Sequence, residues 1–447
     1  MNMKRPLAFL LAAGMTLGLA ACGGNGGTSG SGSSGSSGSA DGSAVTLDLW
    51  AFNIGGFTEA SNWDTILAAF NEQHPDITVN VTPINYQDGD QKLTSAITSN
   101  SGPDIIFEGP ERIVGNYARE GLMVDLSDLW TASGSDIAEG ISSVSQLDGT
   151  YYMYPLSVAA HCMAINYEVF EAAGALQYID EETRTWSTDD FVAAMEAIKT
   201  AIDNGTVSLA TPGIVYCGAQ GGDQGTRALV NNLYSDYYVN DDGTSYNANS
   251  ANNVKALTLL QEMVNEGSLS ANASYAAADE LQAFANQTCA VTFCWNYSNY
   301  TQYAEQTQFT PFAMAFPSDD SQPELEMAGP YGFGVFDKGD EAKIEAAKTF
   351  IDFVCNDQTV GTEAVKTTGF FPVHADWGDV YAGDADADLR APFALMSDYL
   401  GRYYNLTGGW TEQRGYWWPM LAEIMTTGAD VQTAADNFVQ QANANIG

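Results

Sequence analysis

The chain has 447 residues, with 56 Asp plus Glu against 16 Lys plus Arg and a formal charge of −40. A surface this acidic repels phosphate backbones and anionic lipid, which excludes nucleic acid and polyanionic partners and leaves neutral or cationic ligands. The 22 Tyr, 20 Phe and 9 Trp, set beside a charged fraction of only 16%, suit a large core and contacts to neutral polyhydroxyl ligands.

The chain opens with Lys4 and Arg5, an apolar run from Leu7 to Ala21, and Leu19-Ala20-Ala21-Cys22. Charge, apolar length and small residues before a cysteine read as a signal peptide over 1–21, too short to span a membrane. The tetrapeptide resembles a bacterial lipobox, which implies cleavage before Cys22 and lipidation of that residue. Loss of Lys4 and Arg5 would make the charge two units more negative. Residues 22–43 are almost entirely Gly and Ser after the cysteine, a flexible tether.

Val45 to Trp50 alternates as a strand, and Trp63, Ile66, Leu67 and Phe70 give a helical face that stops at His74-Pro75. Ile77, Val79 and Val81 form a second strand and Asp104 to Phe107 a third, a β-α-β-α-β rhythm that predicts a parallel α/β lobe. Further on, Ser187 to Asp190 is a capping box with a Trp186/Phe191 staple, opening a helix to about Ile202. Helices follow over 253–266 and 276–286, a strand over 290–295, a strand over 332–336 feeding a helix over 341–355, and mostly helix from Asp388 to the last helix, 429–446. Cys22 aside, Cys162, Cys217, Cys289, Cys294 and Cys355 contain no C-x-x-C and read as small buried residues, although an odd set leaves pairing open. His74, His161 and His374 lack metal-ligand spacing. Asp384, Asp386 and Asp388 have the spacing of a calcium loop, but Leu389 and Leu395 stand where Gly and Glu would be required, so no metal or other cofactor is expected.

Seven segments, taken in order, carry a resemblance: Ser101-Gly102-Pro103-Asp104-Ile105-Ile106-Phe107; Tyr117 to Leu126; Tyr154-Pro155-Leu156-Ser157-Val158 with Ile165-Asn166-Tyr167; Thr185-Trp186-Ser187; Ala283-Phe284-Ala285-Asn286 with Val291 to Trp295; Ala346 to Ile351; and Thr368 to Val373. In order and spacing the chain from 45 to 447 resembles the family 1 extracellular solute-binding proteins of bacterial ABC importers, the group that includes maltose-binding protein. The resemblance implies an α/β fold of two lobes, the type II periplasmic-binding-protein clamshell. Hinge strands would cross near 158–165, 329–336 and 369–374. The amino-terminal lobe would be 44–160 plus 332–370 and the carboxy-terminal lobe 165–330 plus 375–447.

Ligands of open α/β sheets sit beyond the carboxyl ends of strands, which directs attention to Trp50 and Asn53 and to Glu108, Glu111 and Arg112. The resemblance adds that maltose-binding protein carries an Asp-Arg pair at the positions of Glu111 and Arg112, whereas its stacking Trp aligns with Glu108. It also implies sugar-facing roles for Trp295, with Tyr297 close behind, and for the Trp417/Trp418 pair ahead of a helix begun by Pro419. Of that pair only one can face the site, since adjacent residues do not share a helix face. Asp223, in a Gly-rich loop, is a polar candidate. The expectation is a monomeric, lipid-anchored binder without catalysis at the extracellular face of the cell membrane, capturing a carbohydrate for ABC permease transmembrane subunits. The alternatives are a binder of cationic amines or peptides, with Glu108 and Glu111 in a carboxylate box, and a secreted glycoside hydrolase with two carboxylates across a cleft.

Overall fold

The computed structural model describes residues 44–86, 88–219, 223–240, 242–325, 327–401 and 406–446. The signal peptide, Cys22 and the tether lie outside the described residues.

Strand β1 (Val45–Phe52) alternates Leu47, Leu49 and Ala51 into the core and leads through residues 53–63, which end in the 3-10 turn Ala60–Trp63, to the helix Asp64–Gln73. Strand β2 (Ile77–Ile84) pairs parallel to β1, from Val45 opposite Ile77 to Phe52 opposite Ile84. After the helix Gly89–Thr98, β3 (Ile105–Glu108) pairs parallel to β1 on its other edge, through Leu49 opposite Ile105. A small hairpin, β4 (Gln146–Leu147) and β5 (Thr150–Tyr151), precedes β6 (Tyr154–Ala160) and β7 (Cys162–Asn166), which are separated by His161 alone yet belong to different sheets. Strands β8 (Ile214–Tyr216) and β9 (Ser270–Asn272) pair with each other, while β10 (Val291–Trp295) and β11 (Pro311–Met314) flank β7. Then β12 (Met327–Val335) returns between β6 and β3, and β13 (Phe371–Pro372) adds to the free edge of β6.

The first sheet has the order β13-β6-β12-β3-β1-β2. It is mixed rather than parallel throughout: β12 runs antiparallel to β3 and to β6 because it enters from the distant half of the chain, without a βαβ crossover. One core takes side chains from 47–159 and 327–373, and a second takes them from 160–325 and 393–442.

Local signals act as the sequence predicts. The Ser187 hydroxyl accepts the Asp190 N–H at 3.0 Å and opens the helix Thr188–Asp203, with Trp186 edge-on to Phe191 at 5.3 Å. All five cysteines among the described residues are free and buried. Buried Asp104 accepts from the Asp48 N–H, Lys338 and Lys343, at 2.9 Å each, and so ties β1 and β3 to the helix Glu341–Asn356. One expectation fails at Pro419. It does not begin a helix but lies in the last turn of Trp410–Ala422, where the turns before it had already set the helical path and only the bond to the Gly415 carbonyl is lost.

The carboxy-terminal core holds an acid with neutral partners only. Glu280 is fully buried, with Thr292 Oγ1 at 2.6 Å and the Phe293 N–H at 3.0 Å, and burial pushes its carboxyl up to about 8, the two hydrogen bonds opposing. A raised carboxyl pKa adds stability that is fully present below its ordinary value of 4.5 and is lost as pH rises through about 8. Glu280→Gln, which keeps the shape of the protonated acid, is therefore expected to gain stability relative to the native chain as pH climbs through that window. Urea unfolding across pH measures this, and a constant difference would contradict it.

Candidate functional site

Three parallel strands end side by side, and the residues just beyond their ends converge. Beyond β1 comes Asn53, beyond β2 Tyr86, and at the end of β3 Glu108, followed by Glu111 and Arg112. Gly89 lets the helix Gly89–Thr98 start directly over these ends, since a Cβ there would lie 2.5 Å from Ile84 Cγ2 and 2.7 Å from the Phe52 ring. That start brings Asp90 to Arg112.

Arg112 is 6% exposed and is held on every side. Its Nε and Nη2 donate to the two oxygens of Asp90 at 2.7 and 3.0 Å, a bidentate fork, and its Nη1 donates to Glu108 at 2.9 Å with Glu111 at 3.5 Å. Its guanidinium carbon lies 4.9 Å from the Phe52 ring centre, 5.3 Å from Tyr86 and 5.7 Å from Trp410. Burial and the neighbouring Glu111 push the Glu108 carboxyl up to about 7, opposed by Arg112, the Gly109 N–H and the Tyr86 hydroxyl. Burial would raise Asp90 too, but the Arg112 hydrogen bonds and charge outweigh it and hold that carboxylate below its usual range. Tyr86 itself leaves 46% of its surface open, which gives the cluster an aromatic face in contact with solvent.

A second cluster stands on the carboxy-terminal core. The helix Gln224–Leu233 packs onto β10 so closely that a Cβ on Gly225 would lie 2.1 Å from the Phe293 carbonyl oxygen. Asp223, at the start of that helix, is 2% exposed and pairs with Arg227 and, through Arg414 Nη2 at 2.7 Å, with the helix Trp410–Ala422. Burial would raise the Asp223 carboxyl, and Arg227 and Arg414 together hold it below its usual range. His161, between β6 and β7, is driven down to about 4 by burial and by Arg227, so it is a neutral imidazole whose Nε2 has no protein partner.

Trp410 joins the two clusters. Its ring centre lies 5.7 Å from the Arg112 and 4.6 Å from the Arg414 guanidinium carbon, and its indole N–H has no protein partner. Nearby, Arg119 Nη2 donates to the Leu406 carbonyl at 3.0 Å, so the segment leading into Trp410–Ala422 is tied to the first sheet's core.

The structure thus brings together Asn53, Glu108, Glu111 and Arg112, and joins Asp223 to them through Arg414 and Trp410. The buried Asn53 Oδ1 has no protein partner. Trp50 stands apart, two residues before the strand end and half-buried against the first core. Trp295 and Trp417 are fully buried. Trp295 lies opposite Cys162 with its ring edge-on to Phe284, and Trp417 is packed by Tyr238 and Phe438 while its N–H bonds Thr226 Oγ1 at 3.0 Å. Both rings pack against side chains of the carboxy-terminal core, and the Trp295 indole N–H is buried without a protein partner. Trp418, one position on, is half-buried on the other side of the helix. Tyr297 belongs elsewhere: it bonds Asp386 and lies under the Arg390 guanidinium at 3.7 Å. Of the calcium-spaced acids, Asp386 is thereby engaged and Asp384 pairs with Lys366 at 2.7 Å. Sequence reading missed Tyr86, Asp90, Arg227, Trp410 and Arg414. A strand-end rule extended one loop past β2 reaches Tyr86, whereas the others gather only through contacts distant in sequence.

The family profile of bacterial extracellular solute-binding proteins matches residues 65–391. The chain belongs to this family. Among curated relatives of this solute-binding protein, the diacetylchitobiose-binding protein DasA of Streptomyces coelicolor is 30% identical over 174 residues, which cover 38% of this chain and 39% of DasA, well under two thirds of its length. A Brucella abortus protein named as a binding protein is 24% identical over 365 residues, 78% of this chain and 81% of its own. The fold is shared with the GacH receptor of Streptomyces glaucescens, solved free and with acarbose, at a TM-score of 0.69 and 15% identity over 90% of this chain and 98% of GacH. It is likewise shared with an ABC substrate-binding protein of Listeria monocytogenes solved with cycloalternan, at 0.70 and 19% identity over the same shares.

The burial pattern separates two kinds of aromatic residue. Trp295→Ala and Trp417→Ala are each expected to cost about 3–5 kcal/mol in urea unfolding, as large cavities in a packed core do. Half-open Tyr86→Ala is expected to cost about 1 kcal/mol or less. Equal losses for all three would contradict this division.

Proposed function

We propose that this solute-binding protein captures a neutral oligosaccharide in the cleft where Arg112 and Arg414 lie beside the Trp410 ring. The observation that carries the reading is that the carboxylates gathered here are paired with arginine in a strongly acidic chain. Asp90, Glu108, Glu111 and Asp223 stand against Arg112, Arg227 and Arg414, and Glu108 is the member whose burial favours the neutral form. A site for polyamines or basic peptides requires unpaired carboxylates, and here each of the four has an arginine neighbour. Forked arginine–carboxylate pairs instead present preset donors and acceptors to hydroxyl groups, and the open Tyr86 ring suits the C–H face of a pyranose. DasA, GacH and the Listeria protein, named or solved with diacetylchitobiose, acarbose and cycloalternan, support the same ligand class.

In this reading the lobes 44–160 plus 332–370 and 165–330 plus 375–447 close on the ligand about the crossings near His161, β12 and β13. Closure follows from better binding by the closed form. The ligand then passes unaltered to an ABC permease, and the monomeric binder stays at the outer face of the membrane through lipid on Cys22. No bond is broken, so no carboxylate here acts as a general acid.

A thermal-shift screen with maltotriose, N,N′-diacetylchitobiose, cycloalternan and spermidine tests the ligand class. An oligosaccharide at about 100 times its dissociation constant is expected to add about 2.7 kcal/mol of stability. Tyr86→Ala and Trp410→Ala are expected to weaken that ligand by about tenfold or more, the loss of a ring contact. Stabilisation by spermidine alone would overturn the carbohydrate reading, and reducing ends released during incubation would overturn the absence of catalysis.

A further inference from the structure

A cavity of about 500 Å³, lined by none of the residues of the Arg112 and Asp223 clusters, lies between the segment Phe371–Tyr381 and the helix Ala387–Met396. Its wall is mostly apolar, with Phe371, Pro372 and Tyr381 on one side and Ala387, Ala391 and Ala394 on the other. The three alanines recur at the spacing of one helix face, and their short side chains leave the groove that larger residues would fill.

Two polar groups in this wall lack a protein partner. His374 is 5% exposed, and its Nδ1 lies 2.8 Å from Asp136 Oδ1. A carboxylate only accepts, so Nδ1 carries a proton toward Asp136, and in the neutral form of such an imidazole Nε2 is the acceptor. That Nε2 is buried with no protein donor, and the Ser397 hydroxyl, also in the wall, is buried and unpartnered as well. Buried polar groups in native proteins ordinarily find a partner. The one cation in the wall is already satisfied: Arg390 donates to Asp386 at 2.9 Å and to the Gly369 carbonyl at 3.2 Å, and lies between the Tyr297 and Tyr381 rings. The carboxylate in the wall, Asp379, is exposed and accepts the Tyr381 N–H at 2.9 Å, so the buried part of the wall offers a ligand no free charge.

We propose that this cavity is a second ligand site, taking an uncharged aromatic or alicyclic alcohol whose ring fills the groove and whose hydroxyl donates to His374 Nε2. The volume falls within the range of small-molecule sites, and an apolar wall with a few placed polar groups is their usual chemistry. The site does not depend on what the Arg112 cleft binds.

Phenol is the direct probe, added to the full chain at about pH 8. The His374 imidazole C–H signal is expected to shift saturably in NMR titration, while toluene, with the same ring and no donor, binds about tenfold more weakly. Ala394→Trp, which fills the groove from an exposed helix position, is expected to abolish the shift. A His374 signal that does not move or moves without saturating, or phenol binding that survives Ala394→Trp, would overturn the site. Equal binding of toluene and phenol would overturn the role of Nε2.

Discussion

The site depends on the bidentate pairing of Arg112 with Asp90. A guanidinium this deeply buried is costly unless it is both paired and hydrogen-bonded, and here Asp90, Glu108 and Glu111 meet it from the strand ends while Phe52, Tyr86 and Trp410 surround it with ring faces. Because Asp90 arrives on the helix that Gly89 seats over β1 and β2, the pairing also fixes where that helix begins. The cluster is therefore a consequence of parallel strand order, and each of its three carboxylates has the Arg112 guanidinium beside it before any ligand arrives.

The carboxy-terminal core repeats the device with different parts. Asp223 sits between Arg227 on its own helix and Arg414 on another, so a buried carboxylate again organises cations from separate elements. Trp410 has an arginine of each system near its ring and contributes no charge. An interface assembled from preformed ion pairs and one shared ring can separate without leaving a lone buried charge on either side, which suits the closure proposed above.

Much of the fold was legible in the sequence because the signals involved are local. The alternation from Val45, the Ser187 cap with its Trp186/Phe191 staple, and the amphipathic run after Glu341 each depend on neighbours a few residues away. The strand-end rule led to Asn53, Glu108 and Arg112 for the same reason. The aromatic residues did not yield to such reading. How a tryptophan is packed is decided by partners such as Phe284 for Trp295 and Tyr238 for Trp417, which lie far from it in sequence or on other elements. Trp410 and Arg414 carry no motif, and their place follows from contacts across hundreds of residues. Pro419 misled because a proline compatible with a first turn was also tolerable in a last one.

A net charge of −40 would ordinarily favour cations at long range, so the pairing of Asp90, Glu108, Glu111 and Asp223 with Arg112, Arg227 and Arg414 is the decisive property of this molecule. Its most direct test is the salt dependence of ligand affinity by calorimetry, with the stabilising oligosaccharide titrated into the full chain at about 20 mM and about 500 mM salt, conditions that span strong changes in screening. A neutral ligand in a site of paired carboxylates predicts dissociation constants within about twofold of each other. A steep loss of affinity at high salt would contradict that pairing and point to unpaired carboxylates holding a cation.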